Sequence, residues 1–307
     1  MIEMIWRGDR ITKHDARVRA GKSITPIAIV NHISVGTMSS MYNTFANPNA
    51  NGSAHFGVGR DGVIHQYVRI ERAAWTQGLT TEAIRASKQP LVQRMGINPN
   101  LYCVSIEHEG YEIREKETGR LLEYHGLKGD LTEDQFWASC WLHKYIQTEV
   151  QRMYGHRIPL NSEYVLGHFQ IDPVRKPFCP GPNFPWSRLY AELAIADGMD
   201  LEAYEERIAY MRGVSSKFAA AYAVAERIRD LGKKLDDPRW GVEAARKLLA
   251  LEPVYPQLDS SGLLTPRGLV ARVADLFEKA SRDGKWQLEA VRKLLLLEPL
   301  MKEKGLL

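Results

Sequence analysis

The histidines divide this chain in two. All nine lie between His14 and His168, and none follows before Leu307. From about Asp200 onward the sequence turns to Ala, Leu, Glu, Lys and Arg, and there it repeats itself. The run from Trp240 to Pro253 (WGVEAARKLLALEP) recurs 46 residues later from Trp286 to Pro299 (WQLEAVRKLLLLEP). Each unit reads as two helices, one before an Asp/Gly turn and one ending at Glu-Pro. Proline ends the second, because the residue before a proline disfavours the helical region. Two units are too few for a solenoid with a continuous core, so they predict an all-α domain of four helices packed by their apolar faces. The expected layout is an imidazole-bearing domain over 1–195, a linker over 196–214 and the helical repeat domain over 215–307. Trp240 and Trp286 read as core anchors. The competing reading gives each repeat an equivalent ligand site, doubled for avidity.

Composition narrows the function classes. With 44% hydrophobic and 25% charged residues the chain reads as soluble and globular. A formal charge of +4 argues against a dedicated nucleic-acid binder, while a pI near 8.8 leaves approach to an anionic polymer unhindered. Arg7, Arg10, Lys13 and Arg17 make the first segment basic enough to touch such a polymer. No apolar stretch approaches the length that crosses a bilayer, so no membrane insertion is expected. Met1 to Asp9 lacks a basic region followed by an apolar core, so no signal peptide is expected. Three cysteines without a secretory signal do not predict a disulfide framework. Cys103 and Cys140 lie in apolar surroundings and read as buried thiols, whereas Cys179 sits in a Pro/Gly loop where a ligand can be held.

Apolar runs predict strands at Ile27–Val30, His55–Val58, Val63–Tyr67 and Cys103–His108. Arg60-Asp61-Gly62 between two of them is a hairpin turn, since glycine accepts the positive φ it needs. Thr132 followed by Gln135 starts a helix with a capping pair, continued to about Tyr154 by Phe136, Cys140, Leu142, Tyr145, Ile146 and Val150. Strands and helices around one sheet make an α/β or α+β domain.

Five pieces of the chain, in order, resemble the zinc-dependent N-acetylmuramoyl-L-alanine amidases, the superfamily that also holds the peptidoglycan recognition proteins and many phage endolysins. They are Ile29 to His32, Ser53 to Val68, Ala73-Ala74-Trp75, Val104 to Glu107, and Gly167-His168 through Cys179 to Trp186. The resemblance implies a mixed central sheet flanked by helices, with zinc in a groove at one sheet edge. It implies His32, His168 and Cys179 as ligands, and Glu107 as the general base that takes a proton from the attacking water. The implied substrate is peptidoglycan, cut between N-acetylmuramic acid and the L-alanine of the stem peptide. An endolysin of this kind is made in the host cytoplasm and acts on the wall after release, with the repeats binding the wall or a secondary wall polymer.

Two positions depart from one branch of the family. Ala54 stands where some phage enzymes carry tyrosine, and Pro177 where they carry lysine two residues before the cysteine. The base role then falls on Glu107, and the oxyanion-stabilising cation falls to Lys176, one place off register, or to Arg175. Trp75, His55 and Arg175 are the substrate-side candidates, although His55 and His65 also read as satisfied hairpin residues. Asp172, before Pro173, reads as a structural turn residue. Two other functions remain open at this stage: a recognition module that binds peptidoglycan without cutting it, and a recycling amidase acting on soluble muropeptides.

Overall fold

A computed structural model describes residues 2–212. The expected helical repeats, with Trp240 and Trp286, lie outside the described residues. The strands are β1 (Met4–Trp6), β2 (His14–Ala16), β3 (Val18–Arg19), β4 (Lys22–Ser23), β5 (Ala28–Ile33), β6 (Phe56–Val58), β7 (Ile64–Gln66), β8 (Arg72–Ala74), β9 (Cys103–His108), β10 (Tyr111–Arg114), β11 (Leu121–His125) and β12 (Val165–Gly167). The helices are α1 (Met38–Ala46), α2 (Thr81–Ala86), α3 (Pro90–Met95), α4 (Glu133–Tyr154), α5 (His168–Ile171) and α6 (Trp186–Asp197). Six strands form one mixed sheet in the order β1-β7-β6-β9-β5-β12. Only the β6–β7 pair within it is antiparallel; β6, β9, β5 and β12 run side by side in parallel. This is the mixed sheet flanked by helices that the family resemblance implies.

The four expected strands are present within a few residues of their expected bounds. β5 and β9 are buried almost throughout, as parallel strands covered on both faces must be. Their register pairs Ala28 with Cys103, Val30 with Ser105 and His32 with Glu107. Alternation places these six side chains on one face. There Ala28, Val30 and Cys103 join Leu91, Val92 and Tyr102 in the core under α3. The opposite face meets α4. The turn after β6 forms as expected, with Gly62 at φ +81°.

Thr132 caps α4 by accepting from the Gln135 N–H. The Gln135 side chain does not complete a capping box. Its amide donates instead to Val58 O at 3.0 Å and Glu109 O at 2.9 Å, which fastens the helix start to the sheet. A buried polar seam continues along α4. The His108 Nδ1–H donates to His32 O at 2.9 Å, and Ser139 Oγ donates to His108 Nε2 at 2.8 Å. One turn on, His143 Nδ1–H donates to Ser139 O at 2.7 Å and its Nε2 accepts from Asn31 Nδ2 at 3.1 Å.

Two expectations are corrected. The basic first segment is not free to touch a polymer at Lys13 and Arg17, because both are buried. Lys13 Nζ donates to the carbonyls of Thr44, Phe45 and Asn47 at the end of α1. Arg17 donates to Ile70, Asn100, Leu101 and Cys103 carbonyls. These cations satisfy backbone acceptors that would otherwise be stranded. The expected linker is also partly structured. Residues 201–212 are helical, with Tyr204 and Ile208 buried and Arg207 paired to Glu192 of α6 at 2.8 Å. Compact packing of the first unit accordingly extends to Ala209.

Candidate metal centre and groove

The parallel strands deliver the site at their C-terminal ends, where ligands commonly sit in sheets of this kind. His32 is the fifth residue of β5, Glu107 the fifth of β9, and His168 follows directly on β12 as the first residue of α5. Cys179 arrives from the loop after α5. That loop is held by the Phe169 N–H donating to Cys179 O at 2.9 Å and the Ile33 N–H donating to Cys179 Sγ at 3.4 Å. The result is the one group of three or more metal-capable side chains among the described residues. One donor atom each from His32, His168 and Cys179 lies within 4.8 Å of the others. The two imidazoles meet edge-on, ring centres 4.4 Å apart.

The electrostatics suit a divalent ion. Burial, with His168 and His108 nearby, holds His32 well below the usual imidazole range; burial and Lys176 push His168 down to about 4. Both rings are therefore neutral donors at ordinary pH. Burial and the Glu107 charge push the Cys179 thiol up to about 12, a preference that a coordinated cation reverses. Glu107 Oε1 lies 3.9 Å from His32 Nδ1, and its Oε2 is buried with no hydrogen-bond partner. Burial pushes this carboxyl up to about 7, with Lys176 pulling the other way. Two neutral imidazoles, a thiol and an unspent carboxylate oxygen together fit zinc and its water.

A groove opens beside His168, lined by Trp75, Thr76, Asn100, Asp172, Arg175 and Lys176. Trp75 is 39% exposed, and its indole donates to Asp15 of β2 at 2.8 Å. The first segment, unassigned from sequence, thus sets a groove wall. Lys176 is exposed at the rim, and its charge reaches His32, Glu107, His168 and Cys179. Arg175 also lines the groove, but its guanidinium is tied to Asp172 Oδ2 and to Gly78 O at 2.7 Å. That leaves Lys176 as the untied cation of the pair. Asp172 stays outside the metal cluster and accepts from the Arg175 N–H at 3.0 Å, the turn role expected of it.

His55 does not face the groove. It is fully buried. Its Nδ1 accepts from the Ser105 N–H at 3.0 Å, its Nε2 donates to Arg72 O at 3.0 Å, and Arg17 lies 2.8 Å away. A ring spent in this way holds the β6 side of the sheet together and has nothing to offer a substrate. Sequence reasoning missed Gln77, a fully buried amide behind the ligands whose side chain makes no hydrogen bond. No pattern in the sequence marks it.

The model of the N-acetylmuramoyl-L-alanine amidase family matches residues 22–182, more than half of the chain. The chain belongs to that family. Among solved structures it is similar to an AmpD derivative at 23% identity and a TM-score of 0.42, covering 62% of this chain and 95% of that one. It is similar to the amidase LysC from Clostridium intestinale at 15% identity and 0.38, covering 63% and 99%. It is also similar to the amidase AmiD from E. coli at 21% identity and 0.38, covering 57% and 61%. No curated protein matches the sequence.

Proposed function

We propose that the chain is a zinc-dependent peptidoglycan hydrolase that cuts the amide between N-acetylmuramic acid and the L-alanine of the stem peptide. The carrying observation is the convergence of His32, His168 and Cys179 beside the unpartnered carboxylate oxygen of Glu107. His32, His168 and Cys179 would hold zinc, which would supply a Lewis acid for the scissile carbonyl and for its water. Glu107 takes the proton of the attacking water and later returns it to the departing amine. Lys176 at the rim offsets the negative charge that develops on the carbonyl oxygen. Trp75 offers flat apolar area with a polar edge to a sugar ring or peptide, and Arg175 lines the same groove.

The test is release of new L-alanine N-termini from purified peptidoglycan. Wild type should lose activity on chelation and recover it with zinc. Glu107→Ala should retain zinc and fall by about 10²–10⁴-fold, the usual worth of a general base. Full activity in that variant would remove Glu107 from the mechanism. A recognition module that binds without cutting is disfavoured by the intact third ligand, Cys179.

The second part of the proposal concerns the cell. The enzyme acts as an endolysin, made in the host cytoplasm and reaching the wall after release. Its repeats over 215–307 grip peptidoglycan or a secondary wall polymer. No helix among the described residues is long and apolar enough to cross a membrane. The full chain should sediment with purified walls and a chain ending at Arg212 should not. Equal sedimentation would favour the recycling reading, in which no wall anchor is needed.

A further inference from the structure

We infer that Gln77 is the residue that orients the metal ligand His32, by accepting a hydrogen bond from its Nε2–H and so presenting Nδ1 to the metal. The inference rests on the zinc reading of the site. His32 Nδ1 faces Glu107, at 3.9 Å, which makes it the ring nitrogen on the metal side. The other nitrogen, Nε2, is buried and has no hydrogen-bond partner. Both atoms of the Gln77 amide are likewise buried and unpartnered, and the residue is 1% exposed. Buried polar groups are almost always paired, so adjacent orphans are complementary. A metal-bound imidazole nearly always donates its second N–H to an acceptor, and that acceptor fixes tautomer and ring angle.

Placement supports the pairing. Thr76 Oγ1 lies 2.8 Å from Ser105 Oγ, so the segment carrying Gln77 crosses the same sheet face that bears Cys103, Ser105, His32 and Glu107. Its backbone is pinned on both sides. The Gln77 N–H donates to Asn100 Oδ1 at 3.0 Å, and Arg175 holds the Gly78 carbonyl at 2.7 Å. The Gln77 amide lies at hydrogen-bonding range of both the His32 ring and the Cys103 thiol and favours the charged form of each, although neither contact meets strict hydrogen-bond geometry. One amide orientation serves both: Oε1 toward the ring N–H, the NH₂ group toward Cys103 Sγ. The segment that carries Trp75 into the groove therefore also sets the angle of the first ligand.

The test uses the full chain. Long-range ¹H–¹⁵N spectra of the zinc-free protein should show His32 as the Nε2–H tautomer. Zinc affinity, by competition with a chelator, should fall about 10–100-fold in Gln77→Leu, the usual cost of losing such a partner. Gln77→Glu, which keeps an acceptor, should bind zinc within a few-fold of wild type. Melting without zinc shows whether each variant is folded. An Nδ1–H tautomer, or a folded Gln77→Leu that binds zinc as tightly as wild type, overturns the role of Gln77. If Gln77→Leu does not fold, the wild-type tautomer decides. Wild type that binds no zinc overturns the metal reading itself, a result distinct from equal binding by wild type and variant.

Discussion

His143 and His108 show how the sheet face away from the groove is kept neutral. Burial pushes His143 down to about 4 and His108 down to about 3. Each is a donor at Nδ1 and an acceptor at Nε2, a pattern that only the neutral ring can satisfy. Between pH 6.5 and 4 the unfolded chain binds more protons at these sites than the folded one. Their contribution is therefore fully present above about pH 6.5 and is lost as pH falls toward 4. The stability difference between wild type and His143→Gln, from urea unfolding, should shrink by on the order of 1–3 kcal/mol from pH 7 to pH 4.5. A difference independent of pH would mean that His143 does not titrate in this way. At the same scale the family resemblance pointed to His32, His168 and Cys179, which the fold brings together, and to Glu107 beside them. The sequence could not reveal that His55 is spent internally or that Gln77 backs His32, since both depend on which strand face a side chain meets.

Among the elements, the helix over 201–212 changes most from expectation. Its Ala, Glu and Arg content reads equally well as a linker or a helix. Only the burial of Tyr204 and Ile208 and the Arg207–Glu192 pair assign its part up to Ala209 to the first unit. Burying two such side chains is worth roughly 3–6 kcal/mol. A chain ending at Asp197 should be less stable than one ending at Arg212 by about that amount in urea unfolding. Equal stabilities would return the segment to the role of a tether. The short strands β1 to β4, β8 and β12 escaped sequence reading because two or three residues carry no measurable alternation, whereas the equally short β6 and β7 were marked by the Arg60-Asp61-Gly62 turn between them. The long elements β5, β9 and α4 were readable because continuous apolar runs and a capped periodic helix are strong local signals. The β10–β11 hairpin was missed for another reason: its apolar residues Ile113, Leu121, Leu122 and Tyr124 are exposed, so burial does not pattern it.

At the scale of the molecule, the site draws its donors from places far apart along the chain. His32 comes near the start of the sheet, His168 and Cys179 after its last strand. Strands β6, β7, β9 and β12 of the sheet lie between them in sequence. An ion coordinated at all three thus acts as a cross-link spanning most of the domain. A covalent link of such span restricts the denatured chain by about 4–5 kcal/mol. Coordinate bonds act in the same sense for as long as they survive unfolding. Loading the metal would therefore do more than arm the groove: it would shorten the chain's reach when it is unfolded, so that β5 and β12, far apart in sequence and neighbours in the sheet, begin any return to the native state already tied together.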